Sequence, residues 1–154
     1  MHTRTFVPEQ DSEFVFRVFA DVRASELSAA CMSSDGLLAL LRMQHRAQLA
    51  HYQQAYPRAE RTLLLHQQEP IGYWLLDRAA DALTLVDFAL LAPFRGRGLG
   101  SALLRELQGQ ARVPIKLRVR PENPARRLYE RLGFATQAST PSELCMEWRP
   151  FDVA

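Results

Sequence analysis

The chain has 154 residues, of which 47% are apolar and 23% charged, with a formal net charge of +2 at pH 7. That length suits one domain, 1–154, closed around one core, and the composition excludes a mostly disordered chain. The basic residues are spread out, without the stripe or arm expected of a nucleic-acid binder.

Cys31 and Cys145 form no CxxC pair, so neither a metal site nor a disulfide framework is expected. The N-terminus lacks an apolar signal core, and no apolar run is long enough to span a bilayer. A cytoplasmic protein with no membrane partner is the expectation.

In chain order, Thr3 to Val7 reads as a strand, broken by Pro8. Asp11 or Ser12 can cap a helix whose face carries Phe14, Val15, Val18, Phe19 and Val22. A polar interruption at Cys31 to Asp35 precedes a second helix from about Leu37 to Ala55. Its first turns are leucine-rich and its later turns carry Gln44, His45, Gln48, His51 and Tyr52. Thr62 to His66, Ile71 to Leu76 and Leu83 to Leu91 read as an antiparallel meander, with Asp87 alone inside the last apolar run.

Beyond Pro93 come a glycine-rich turn and a helix from about Leu99 to Ala111. Ile115 to Val119 alternates as a strand should. A turn at Pro121 to Pro124 opens a short helix ending at Leu132, with Gly133 as its cap. Phe134 to Thr136 and Leu144 to Trp148 close the chain as strands. The order predicts an α/β fold of mixed α+β type: one sheet with helices on both faces and a crossover from Leu83 to Val119.

The turn reads Arg95-Gly96-Arg97-Gly98-Leu99-Gly100-Ser101. A strand, a glycine turn and a helix N-terminus in succession leave backbone N–H groups unpaired at the positive end of a dipole. Phosphate is the natural ligand there. The three glycines permit positive φ and close approach, while Arg95 and Arg97 add charge. No Gly-Lys pair completes a Walker loop. A dinucleotide fingerprint needs a third glycine where Ser101 stands and an acid where Arg118 stands; Glu122 is nearby but sits in a Pro-flanked turn.

Three stretches together resemble the GNAT N-acetyltransferase superfamily. They are the [QR]-x-x-G-x-[GA] signature at Arg95–Gly100, the lead-in strand Val86–Pro93, and Asn123-Pro124-Ala125-Arg126-Arg127-Leu128-Tyr129-Glu130-Arg131-Leu132-Gly133-Phe134. The resemblance implies a mostly antiparallel twisted sheet with one splayed parallel pair. It also implies transfer of an acetyl group from acetyl-CoA (CoA) to a primary amine.

On that resemblance, backbone N–H groups from Arg95 to Ser101 grip the pyrophosphate. Backbone groups of Leu90 and Leu91 pair with the pantetheine arm, Asn123 bonds the cofactor, and Arg126 reaches its phosphates. Tyr129 stands near the sulfur and protonates the departing thiolate. An N–H at Leu90 stabilises the oxyanion, and Asp87 serves as base or amine anchor unless water takes the proton. Without chemistry, the same fold would act as an acyl-CoA sensor or scaffold. Homodimers are frequent in the family.

The acceptor side falls to the first two helices: Arg23 and Glu26 at the end of one, Gln44, Gln48, His51 and Tyr52 on the other. A solvated helix face accounts for the same residues. His45 and His51 lack the i, i+4 spacing of paired ligands, and no metal is expected. The sequence leaves the identity of the amine or peptide acceptor open.

Overall fold

The computed structural model describes residues 2–27 and 34–151. In order these form β1 (His2–Thr5), α1 (Pro8–Leu27), α2 (Ser34–Ala55), β2 (Glu60–His66), β3 (Glu69–Arg78), β4 (Leu83–Leu90), a 3-10 turn (Ala92–Phe94), α3 (Leu99–Gln110), β5 (Ile115–Val119), α4 (Ala125–Arg131), β6 (Ala135–Ser139) and β7 (Leu144–Trp148). The strands make one mostly antiparallel sheet in the order β1-β2-β3-β4-β5-β7-β6, with β4 and β5 its parallel pair. The parallel register joins Leu83–Leu85 to Ile115–Leu117, while β4 runs on to Leu90.

The chain divides into two compact units, Met1–Leu75 with Asp87–Arg95, and Leu76–Val86 with Gly96–Ala154. In the first, Val15 and Val18 of α1 pack with Leu63 and Tyr73, and Phe6, Phe14 and Ala89 close around them. Another face of α1 sets Phe16 and Phe19 against Leu41 of α2. In the second unit α3 buries Leu103, Leu104 and Leu107. Strand β5 buries Ile115, Leu117 and Val119 while Lys116 and Arg118 stay exposed, as alternation demands.

Several boundaries differ from expectation for local reasons. Helix α1 opens at Pro8, not beside Asp11, because proline at the first helical position lacks only an N–H that would be unpaired anyway. Asp11 instead reaches back, accepting from the Val7 amide at 2.7 Å and from both Arg4 nitrogens at 2.9 and 2.8 Å. Gln67 and Gln68 take positive φ (51° and 67°), giving a tight two-residue turn, so β3 starts at Glu69 and includes Pro70. Leu38 of the leucine-rich turns is exposed. Gly133, at φ 87°, follows the Leu132 cap of α4. The cysteine of the Cys31 interruption lies outside the described residues.

Candidate active site

The glycine turn occupies the end of β4 and the start of α3. Gly96 (φ 69°) and Gly98 (φ 78°) are left-handed, and a Cβ at either would meet nothing within 4 Å. Conformation, not crowding, therefore requires glycine at both. Gly100 lies within the first turn of α3 and has no positive φ, so the expectation of three left-handed glycines is corrected to two. Gly98 is the helix N-cap and supplies no side-chain cap. Its carbonyl accepts from Ala102 at 3.0 Å, which leaves the amides of Leu99, Gly100 and Ser101 without intrahelical partners.

Arg95 departs from its expected role. Its amide donates to the Ala92 carbonyl at 3.1 Å and is not open to a ligand. Its Nε donates to the Leu90 carbonyl at 2.8 Å, and a terminal nitrogen pairs with Asp21 at 3.1 Å. Asp21 also accepts from the Ala92 amide at 2.6 Å. Arg95 thus ties the end of β4 to α1 within the first unit, and these contacts occupy much of the guanidinium expected to face phosphate. No local signal marks Asp21, which lies far from both partners in sequence.

Strand β4 presents its backbone unevenly. The Leu91 amide donates to the Ile71 carbonyl at 2.8 Å, so of the backbone groups expected to pair with the pantetheine arm this one is spent on β3. Successive residues alternate direction, so the Leu90 amide points away from β3. The close approach comes from Gly72: a Cβ there would lie 2.1 Å from the Ala89 carbonyl oxygen and 3.0 Å from the Leu90 Cα. Sequence reasoning missed Gly72, because an isolated glycine in a strand carries no partner's address.

Asp87 lies in a polar cluster within the first unit. Its Oδ2 accepts from the Tyr73 hydroxyl at 2.7 Å and its Oδ1 from the Phe88 amide at 2.9 Å. Burial pushes its pKa up, opposed by the Tyr73 hydrogen bond and by the charges of Arg61 and Arg23. Burial also raises Tyr52 and Tyr73, and the Asp87 charge adds to both. Arg61, from β2, lies over the Tyr73 ring at 4.9 Å and has a buried Nε with no hydrogen bond.

On α2, the side-chain oxygens of Gln44 and Gln48 are likewise buried without partners. They stand at i and i+4, with Tyr52 at i+8, so they form one stripe. Buried polar atoms without protein partners call for water or a ligand. Arg23 places its guanidinium over Phe19 at 5.6 Å and acts electrostatically on Asp87 and Tyr52. The sequence suggests an arginine on a neighbouring strand as a partner for Asp87 but singles out neither Tyr73 nor Arg61 as a site residue; the sheet brings both to Asp87. His51 is exposed, with its ring 5.9 Å from that of Tyr52. Glu26 belongs to α1, but its side chain lies outside the described residues.

In the second unit, the Asn123 side-chain oxygen accepts from the Ala125 amide at 2.9 Å, opening α4. Arg126 is tied to Glu130 at 2.8 Å, one turn along. Tyr129 is buried, with its ring edge-on to Phe134 at 5.6 Å. Among the described residues, no cluster of His, Cys, Asp or Glu can hold a metal ion, and no helix is long and apolar enough to cross a membrane.

Residues 28–134 match the Acetyltransferase (GNAT) family, and the chain belongs to it. It is 35% identical over 75 residues to [ribosomal protein bS18]-alanine N-acetyltransferase of Haemophilus influenzae, a match covering 46% of this chain and 51% of that protein. The chain thus spans about half the length of that relative. The fold is also that of PaiA N-acetyltransferase from Thermoplasma acidophilum, solved with coenzyme A (TM-score 0.71, 18% identity, 96% of this chain and 98% of that one). An acetyltransferase from Thermus thermophilus is similar as well (TM-score 0.66, 22% identity, 96% of each chain).

Proposed function

We propose that this chain is an N-acetyltransferase that carries the acetyl group of acetyl-CoA directly to a primary amine. The whole of 1–154 is read as one domain, since β3 and β4 run through both units. The observation that carries the reading is the pair of left-handed glycines leading into the uncapped start of α3. The first amides of α3 can turn toward an anion, and its N-cap residue makes no side-chain cap hydrogen bond.

In this assignment the amides of Gly96–Ser101 hold the pyrophosphate, and the Asn123 NH2 group adds a donor. Arg97 supports the phosphate charge, and Arg126 does so once it leaves Glu130. Acetyl-CoA supplies an activated acyl carbon. The amine nitrogen attacks that carbon, a C–N bond forms and the C–S bond breaks. The Leu90 amide donates to the oxygen as it gains charge. Tyr129 gives a proton to the leaving sulfur, and Asp87 takes one from the amine. The raised pKa of Asp87 makes it a better base than an exposed carboxylate.

The amine sits among Asp87, Tyr52, Gln48 and Arg23. The Haemophilus relative is named for an alanine acceptor on a ribosomal protein, and a peptide N-terminus is accordingly the first acceptor to try.

Thermal unfolding with excess acetyl-CoA, ATP or NAD tests the cofactor. A ligand at 100 times its Kd adds about 2.7 kcal/mol, a shift of several degrees. The expected result is a shift with acetyl-CoA alone, followed by CoA release in the presence of an amine. A larger shift with ATP or NAD would overturn the assignment. A shift with no release across peptides, amino acids and small amines would leave a non-catalytic acyl-CoA sensor.

A further inference from the structure

Within the second unit, the end of α3 opposite the glycine turn borders a groove of about 860 Å³. Arg105 and Arg112 from α3 and its exit, Arg131 from α4 and Arg149 after β7 line it, with Trp148 and Phe151. The Gln108 side chain donates to the Leu132 carbonyl at 2.8 Å and joins α3 to the end of α4. None of these residues serves the acetyl transfer proposed above. Arg105, the α3 residue of the groove nearest the turn, lies six residues beyond Leu99, roughly 9 Å along the helix at about 1.5 Å per residue.

The charge of this groove is one-sided. Glu147 is its single acid among the described residues, and it is engaged by Arg149 at 2.7 Å. Arg112 donates to the Gly109 carbonyl at 3.3 Å. Arg105 and Arg131 are exposed and make no ion pair among the described residues. Phe151, 91% exposed, stands at the rim, an unusual place for a large apolar ring.

The neighbouring edge decides what kind of anion fits. Ala135 and Gln137 of β6 also line the groove. β6 is the last strand of the sheet, every residue of it is exposed, and its sequence Ala-Thr-Gln-Ala-Ser has no charge and no proline. Edge strands are usually blunted by such residues. Here the only such device is a register shift between Thr136 and Ala138. An open edge can pair with an extended chain, which takes backbone hydrogen bonds from the strand and side-chain contacts from pockets beside it.

We propose that the groove and the β6 edge form a docking site for an extended, acidic polypeptide segment of a partner protein. The segment adds a strand beside β6, its carboxylates meet Arg105 and Arg131, and its apolar side chains pack on Trp148 and Phe151. Charge complementarity selects an acidic partner, and backbone pairing selects a polypeptide over a nucleic acid.

The test uses the full chain and a fluorescently labelled Glu/Val-alternating peptide of about ten residues, read by anisotropy. Binding is expected to strengthen as salt is lowered. Arg105→Glu with Arg131→Glu should weaken it at least about tenfold, and Arg46→Glu, on exposed α2 surface, should not. Arg105→Gln with Arg131→Gln should give an intermediate loss, which keeps the test sound if the charge-reversed protein misfolds. Methylating alternate backbone nitrogens of the peptide should also weaken binding. No binding at low salt, equal binding of a Lys/Val peptide, tighter binding of a single-stranded oligonucleotide, or indifference to N-methylation would overturn the proposal. So would sedimentation showing that the edge is closed by a second copy of this chain.

Discussion

The Tyr73 hydroxyl donates to the Asp87 carboxylate at 2.7 Å, joining strands β3 and β4 through the only acid in β4. Burial raises the Asp87 pKa by more than this bond lowers it. A raised carboxyl pKa stabilises the fold fully below the ordinary value near 3.8, and that contribution is lost as pH climbs through the raised value. Asp87→Asn should therefore gain stability relative to the native protein as pH rises from 4 to 8, in paired thermal melts. If Asp87 is the base, the variant should lose about 100-fold or more in kcat/KM.

Tyr129→Phe keeps the ring against Phe134 and removes only the hydroxyl. Turnover should fall about 100-fold or more, the usual worth of a positioned acid. Affinity for CoA, measured by calorimetry, should stay within a small factor. A parallel loss of affinity would mean that the hydroxyl binds instead of donating a proton.

Gly98 needs its left-handed φ, yet its Cβ direction is open. Gly98→Ala should cost about 1–2 kcal/mol of stability, from conformation alone. Gly98→Glu should also abolish CoA binding, because a carboxylate would stand where phosphate is expected. A folded Glu variant that still binds CoA would show that the turn is not the phosphate site.

Gly72 is the opposite case. A Cβ there collides with the Ala89 carbonyl, which is backbone and cannot swing aside. Gly72→Ala should destabilise by about 1–3 kcal/mol, as overpacking does. It should also depress kcat if the Leu90 amide serves the reaction, since the strand carrying it must shift. Denaturant melts and steady-state kinetics on one preparation separate the two effects.

His45 is buried with its ring 5.5 Å from Phe16 and 4.8 Å from Phe19, and its Nε2 has no partner. Burial, with Arg61 and Arg42 nearby, lowers its pKa to about 4. A depressed folded pKa stabilises fully above the ordinary value near 6.5, and that stability is lost as pH falls from there toward 4. His45→Leu should flatten this part of the acid slope in melts taken between pH 7 and 4.

The sequence by itself determined the element order, the glycine turn and the Asn123-to-Phe134 stretch, because periodicity, punctuation and motif spacing are local. Alternation alone predicted the buried face of β5, Ile115, Leu117 and Val119. Only tertiary structure decided what long-range pairing controls. Arg95 is drawn onto Leu90 and Asp21, the Leu91 amide is taken by Ile71, and Gly72 admits β4. Asp87 finds Tyr73 and Arg61 from two other strands. Charge and hydrogen-bonding capacity can be read from a residue's type, but the partner that claims them depends on which distant segment the sheet sets alongside.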